Sequence, residues 1–220
     1  MLISHFKKFI TIDIPKTGTR SLRETLVPLN YIDIIGQPNI NEHYYQHDSA
    51  LKCKDSLEKL GKNFDDYYSL VIVRNPWERY YSFYKYYSDY LSKFESKDRS
   101  IDWTNNNVQM QLKTIQELFN GDINKRMRWI VRGNPAQSFY YTDNNLDSGY
   151  IMVSQIGKFE DINKEFELFC EKISCGKIKL LHSNKSNISE KTYKDVFSQE
   201  IVDLIAEKEK LTIKLKNYSY

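Results

Sequence analysis

The chain twice writes a short apolar run, a polar loop and a helix in that order, and this repeat constrains the fold more than any other feature. Phe9-Ile-Thr-Ile-Asp-Ile14 is rich in β-branched residues and reads as a buried strand. Pro15 ends it. Lys16-Thr-Gly-Thr19 forms a short loop, and Arg20 to Leu26 reads as a helix that closes before Pro28. Leu70-Val-Ile-Val73 is a second apolar run, with the composition of a central parallel strand. Arg74-Asn75 follows, and Pro76 stands where a first helical residue should. Alternating strands and helices imply a layered α/β domain around a mainly parallel sheet.

The remaining elements fit that plan. Residues 30–47 are polar and rich in Asn and Tyr, and read as loop. Ala50, Cys53, Leu57 and Leu60 lie on one face of a helix capped near Asp48 or Ser49 and stopped at Gly61. Trp77, Tyr80, Tyr84, Tyr87 and Leu91 form the packed face of a long helix, and Arg79 and Ser82 share another face. Val108 to Phe119 reads as a helix stopped by Gly121, and Ile151 to Val153 as a short strand. Ile162 to Ile173 reads as an amphipathic helix and Lys177 to Leu181 as a strand. Ile201, Leu204, Leu211 and Leu215 mark one C-terminal helix. A length of 220 residues suits one domain over 1–220.

Charge weighs against a nucleic-acid partner. Residues 1–110 carry 15 basic and 14 acidic groups and residues 111–220 carry 17 and 15, so neither half is strongly basic. Cys53, Cys170 and Cys175 make no disulfide framework and no CxxC pair, which favours a reducing, cytoplasmic setting. No run of apolar residues is long enough to span a bilayer, and the opening Met-Leu-Ile-Ser-His-Phe-Lys-Lys lacks the order of a signal peptide. The 31 aromatic residues argue against disorder.

Pro15-Lys-Thr-Gly-Thr-Arg-Ser21 combines what an anionic ligand needs. A helix N-terminus offers backbone N–H groups and a positive dipole end. Gly18 permits close backbone approach, and Lys16, Thr17, Thr19, Arg20 and Ser21 supply charge and hydroxyls. The GxxxxGK[ST] pattern is absent, and no acidic strand end stands ready for Mg²⁺. Arg74 repeats the logic at the carboxyl end of the second strand, where ligands of open parallel sheets bind, with Ser82 two turns into the next helix. Each segment alone is equally compatible with a polar strand-to-helix turn and a capping Asn.

Together, IPKTGTRSL and VRNPWERYYSFY resemble the sulfotransferases that use 3′-phosphoadenosine 5′-phosphosulfate (PAPS), most closely the carbohydrate (Golgi-type and bacterial) branch. His47-Asp-Ser-Ala50, Gly157-Lys-Phe-Glu-Asp-Ile162, His182-Ser-Asn-Lys-Ser186 and the terminal Asn217-Tyr-Ser-Tyr220 resemble further segments of that branch. The resemblance implies a P-loop-like three-layer fold, a central mainly parallel sheet flanked by helices. It implies that Lys16 neutralises the leaving phosphate oxygen and that Thr17, Gly18, Thr19, Arg20 and Ser21 hold the 5′ end of the donor. Arg74 and Ser82 would hold the 3′-phosphate, and Lys185 or Ser186 would close over the nucleotide. The departures are the missing membrane anchor and Cys pairs of animal members, Lys214 where an acidic residue is expected, and the unmatched residues 92–150.

The expected reaction moves a sulfuryl group to a hydroxyl, of a carbohydrate or a small molecule, and leaves adenosine 3′,5′-bisphosphate. In-line displacement makes positioning and electrostatics the main source of rate, without a metal. His47, just before a helix N-terminus, is the candidate general base. A zinc site from His43, His47 and Cys53 is the weaker reading of that histidine. A Mg²⁺-dependent kinase or NTPase and a nucleotide-binding module without turnover are the rival functions.

Overall fold

The computed structural model describes residues 1–36, 46–96, 109, 113, 115–116, 122–144, 149–181 and 191–220. The chain divides into two compact units. The first comprises Met1–Asn75, Ala136–Ile188 and Glu209–Ser219, and the second Pro76–Pro135, Ser189–Lys208 and Tyr220.

The first unit is built on a five-stranded sheet. Its strands are β1 (Leu2–Ser4), β2 (Phe9–Ile12), β3 (Ile34–Ile35), β4 (Tyr68–Val73) and β5 (Gln155–Lys158), in the order β3-β1-β2-β4-β5. β2, β4 and β5 are parallel neighbours, and β1 pairs antiparallel with both β2 and β3. Ile12 lies opposite Val71, and Val73 opposite Lys158, so the three parallel strands end at one edge. The crossovers are helical: α1 (Thr19–Leu26), then α2 (Ala50–Lys59), and α5 (Ile162–Lys172) beyond β5.

The period-two alternation of the strands sorts side chains onto two faces. Ile10, Ile12, Val71 and Val73 pack with Ala50, Cys53 and Leu57 of α2. Phe9, Leu70 and Ile72 pack with Leu22 and Leu26 of α1 and with Phe166 and Phe169 of α5. Helices on both faces of a sheet with a parallel core give the three-layer α/β arrangement that the resemblance implies. Gly157 is needed at its place: an added Cβ would come within 2.7 Å of Ile72 Cδ1 and 2.9 Å of Glu165, so α5 could not lie so close to β5.

The second unit is helical. α3 (Pro76–Glu95) begins at its proline, α4 (Ile123–Gly133) is capped by Asp122, and α6 (Gln199–Lys208) packs beside both. The buried face of α3 runs through Trp77, Tyr80 and Phe83, so Phe83 takes the place expected for Tyr84. Arg79 is also fully buried, its guanidinium beside the Tyr80 and Phe83 rings and donating to Pro135 O at 3.2 Å.

Several expectations are corrected. The third parallel strand is Gln155–Lys158 and not Ile151–Val153, which among the described residues makes one bridge, from Ile151 to Thr142. An edge strand needs little apolar sequence, and Val153 spends its side chain in the α2 layer instead. Among the described residues Lys177–Leu181 joins no ladder; Leu180 packs onto the α1 and α5 layer. The single C-terminal helix is two, α6 and α7 (Lys210–Lys216), broken at the buried Glu209. β1 and β3 lie where no strand was expected, and α4 lies in the unmatched 92–150 stretch. Of the helix expected over 108–119, Gln109, Lys113, Ile115 and Gln116 are described and helical, and the rest lies outside the described residues.

Candidate functional site

The parallel strands of the first unit deliver their following loops to one edge. Between β2 and α1 the chain curls through left-handed backbone at Lys16 (φ 70°) and Gly18 (φ 81°). Thr17 is fully buried, and its hydroxyl donates to Ile14 O at 2.9 Å, closing the loop on itself. Thr19 and Ser21 are buried in the first turn of α1. Gly18 occupies the N-cap and has no side chain to satisfy the first-turn N–H groups, and no acidic residue stands in that turn. The result is a positive helix end beside Lys16. Arg20 is placed apart from these groups: its side chain is 66% exposed and its Nε donates to Glu24 Oε1 at 2.7 Å.

One ring joins this loop to the end of β4. Phe159 lies so near Gly18 that an added Cβ would sit 2.7 Å from its Cε2. The same ring carries the Arg74 guanidinium 4.6 Å from its centroid, a cation–π contact. The loop after β2 and the arginine after β4 therefore flank a single phenylalanine.

The backbone of Arg74 is held at both ends. Gln137 Oε1 accepts from Arg74 N at 2.8 Å, and Gln137 Nε2 donates to Arg74 O at 2.9 Å. Gln137 is fully buried, and its own N–H donates to both carboxylate oxygens of the buried Glu209, at 3.2 and 3.0 Å. Next door, Asn75 N donates to Glu160 Oε1 at 2.7 Å, and Glu160 Oε2 accepts from Tyr218 Oη at 2.8 Å. Asn75 Nδ2 donates to Ser219 O at 3.1 Å. The terminal segment is thus tied to the strand ends through side chains.

His47 sits behind the same edge. Its Nδ1 donates to Asp13 O at 2.8 Å, just past the end of β2, which leaves Nε2 as the ring nitrogen that accepts a proton. Burial holds its pKa below the ordinary histidine value, against the bond to Asp13 and the charge of Asp13, which push it up. The neighbouring Asp48 carboxylate pairs with Lys52 at 2.7 Å. Asp13 in turn holds Arg23 Nη1 at 3.0 Å.

Lys16, Thr17, Gly18, Thr19, Ser21, Arg74 and His47 all belong to the first unit, and Ser82 is half-buried on α3 of the second. Lys185, Ser186 and His43 lie outside the described residues. Among the described residues no cluster of three or more His, Cys, Asp or Glu is placed to hold a metal ion, and no helix is long and apolar enough to cross a membrane. Phe159, Glu160 and Tyr218 fall in segments to which the resemblance attaches no residue role. Gln137 and Glu209 carried no signal, because a buried polar pair looks like surface composition until the fold closes over it.

No match was found among curated proteins or among solved structures. A family model described as the sulfotransferase family matches residues 1–208, across both loops, the Phe159 ring and Gln137. With that match over most of its length, the chain belongs to the sulfotransferase family, enzymes that transfer sulfuryl groups.

Proposed function

We propose that the chain transfers a sulfuryl group from PAPS to an acceptor hydroxyl, most fittingly one of a carbohydrate, and releases adenosine 3′,5′-bisphosphate. The observation that carries this reading is the shared Phe159 ring. It sets a cationic, uncapped helix end and a second, firmly held arginine on two sides of one aromatic group. That arrangement suits a nucleotide with an anionic group at each end.

Bound at the edge, the donor supplies the sulfuryl group, already activated by its bond to phosphate. Lys16 stabilises the negative charge that grows on the leaving phosphate oxygen. The N–H groups at Gly18–Arg20, with the hydroxyls of Thr19 and Ser21, hold the 5′ phosphate, and the buried Thr17 keeps the loop closed. Arg74 grips the 3′-phosphate; the resemblance alone adds Ser82 to that role and has Lys185 or Ser186 close over the nucleotide. Arg20 contributes charge at longer range, since it pairs with Glu24. His47 Nε2 takes the proton of the acceptor hydroxyl as its oxygen bonds to sulfur and the sulfur–phosphate bridge breaks. We take residues 1–220 as one sulfotransferase-like domain, working in a reducing compartment such as the cytoplasm.

The test is a panel of glycan and small-molecule hydroxyl acceptors incubated with radiolabelled PAPS and no magnesium. Label appearing on an acceptor supports the reading, and the acceptor that takes it identifies the class. Transfer of phosphate from ATP–Mg²⁺ with no sulfate transfer overturns it in favour of a kinase. Tight binding of the bisphosphate with no transfer to any acceptor leaves a nucleotide-binding module.

A further inference from the structure

Helix α5 ends in a defined cap that brings two cysteines together. Ser174 turns into left-handed backbone (φ 51°), and Cys175 N donates to Cys170 O at 3.1 Å. In a cap of this kind the residue after the left-handed one lays its side chain against the helix residue five positions earlier. Here both are cysteines, and the Cys175 side chain adds to burial in pushing the Cys170 thiol up. The backbone bond holds the two residues close together, as a disulfide requires, since it bridges Cα atoms only about 4.4–6.8 Å apart.

We propose that Cys170 and Cys175 form a reversible dithiol–disulfide site at the end of α5. Cys175 is half-exposed and Cys170 only 3% exposed. Cys170 also lines a cavity of about 910 Å³ together with Glu167, Ser174, Gly176 and Lys179. Burial holds the Cys170 thiol protonated well above its ordinary range, so Cys175 is the attacking sulfur. Its thiolate attacks a low-molecular-weight disulfide such as oxidised glutathione, forming a mixed disulfide and releasing one thiol. Cys170 then gives up its proton and attacks Cys175 Sγ, releasing the second thiol. Two protein thiols are oxidised and one glutathione disulfide is reduced to two glutathione molecules. The bond pins the start of a segment whose far end, Leu181 N, donates to Thr25 Oγ1 of α1 at 2.9 Å. Cys53 is the internal control: it is buried on the other face of the sheet, with a thiol pushed up to about 12 by burial.

The experiment is a titration of the reduced, folded full chain with reduced and oxidised glutathione, followed by alkylation, trypsin digestion and mass spectrometry. The proposal predicts that Glu165–Lys172 and Ile173–Lys177 appear as one linked species lacking two hydrogens, reversed by dithiothreitol, with Cys53 alkylated throughout. C170S should stop at the glutathione adduct on Cys175, and C175S should give no linked species. A wild-type chain that halts at the glutathione adduct overturns the proposal, as does a link to Cys53 or to a second chain, or no reaction at either cysteine.

Discussion

Gly18 shows how much one residue decides. Its φ of 81° and the Phe159 atoms 2.7 and 2.9 Å from a would-be Cβ oppose any side chain. Gly18→Ala adds about 1 kcal/mol of backbone strain and must also move the ring. We expect donor affinity to fall roughly tenfold or more, read as KM for PAPS, with circular dichroism unchanged; an unaltered KM would separate the ring from the donor site. Lys16→Ala should lower kcat by roughly 10²–10³ while the protein remains folded, the usual cost of removing one group that stabilises developing charge. At His47 the sign follows from burial. The neutral ring is the base, and its folded pKa lies below the ordinary 6.5, so the acid limb of kcat/KM should fall below pH 6.5. His47→Ala should keep nucleotide binding and lose that limb. A limb above 6.5, or one that persists in the variant, would assign the proton elsewhere. The charged and hydroxyl-bearing residues of this loop were readable in sequence because their types are chemically uncommon together. Arg20 was readable only as a type, and its direction, towards Glu24, required the helix.

Elements were legible where periodicity was strong. β2, β4, α1, α2 and α5 follow from apolar spacing and cap residues, and Ser49 does cap α2 by accepting from Lys52 N at 3.3 Å. β5 was missed because Gln-Ile-Gly-Lys has neither alternation nor bulk; Gly157 marks close helix packing, which no spacing rule reveals. The break between α6 and α7 was missed because Ile201, Leu204, Leu211 and Leu215 keep helical offsets across it, while Glu209 abandons solvent to serve Gln137. That pair gives a prediction at this scale. Glu209→Ala strands a buried N–H and should cost about 1–3 kcal/mol of unfolding free energy, measured by urea denaturation. Because Gln137 holds both backbone groups of Arg74, Gln137→Ala should raise KM for PAPS more than it lowers kcat. A loss confined to kcat would show that the clamp serves something other than donor binding.

Across the whole molecule, the sheet order brings residues far apart in sequence to one edge: the loop after β2, Arg74 after β4 and Phe159 after β5. The sequence spacing of the two loops announced a family, and the parallel neighbours β2, β4 and β5 explain why the loops meet. A net charge of only +3 gives no strong overall attraction for an anion, so the proposed donor site depends on local groups, Lys16, Arg74 and the N-terminus of α1. Isothermal titration with adenosine 3′,5′-bisphosphate in magnesium-free buffer tests the central claim most directly, using the wild-type chain, Lys16→Ala and Arg74→Ala. The wild type should bind, and each variant should lose roughly tenfold or more in affinity, the expected scale for a charge-assisted contact. Failure of the wild type to bind, or equal affinity in all three proteins, would contradict it.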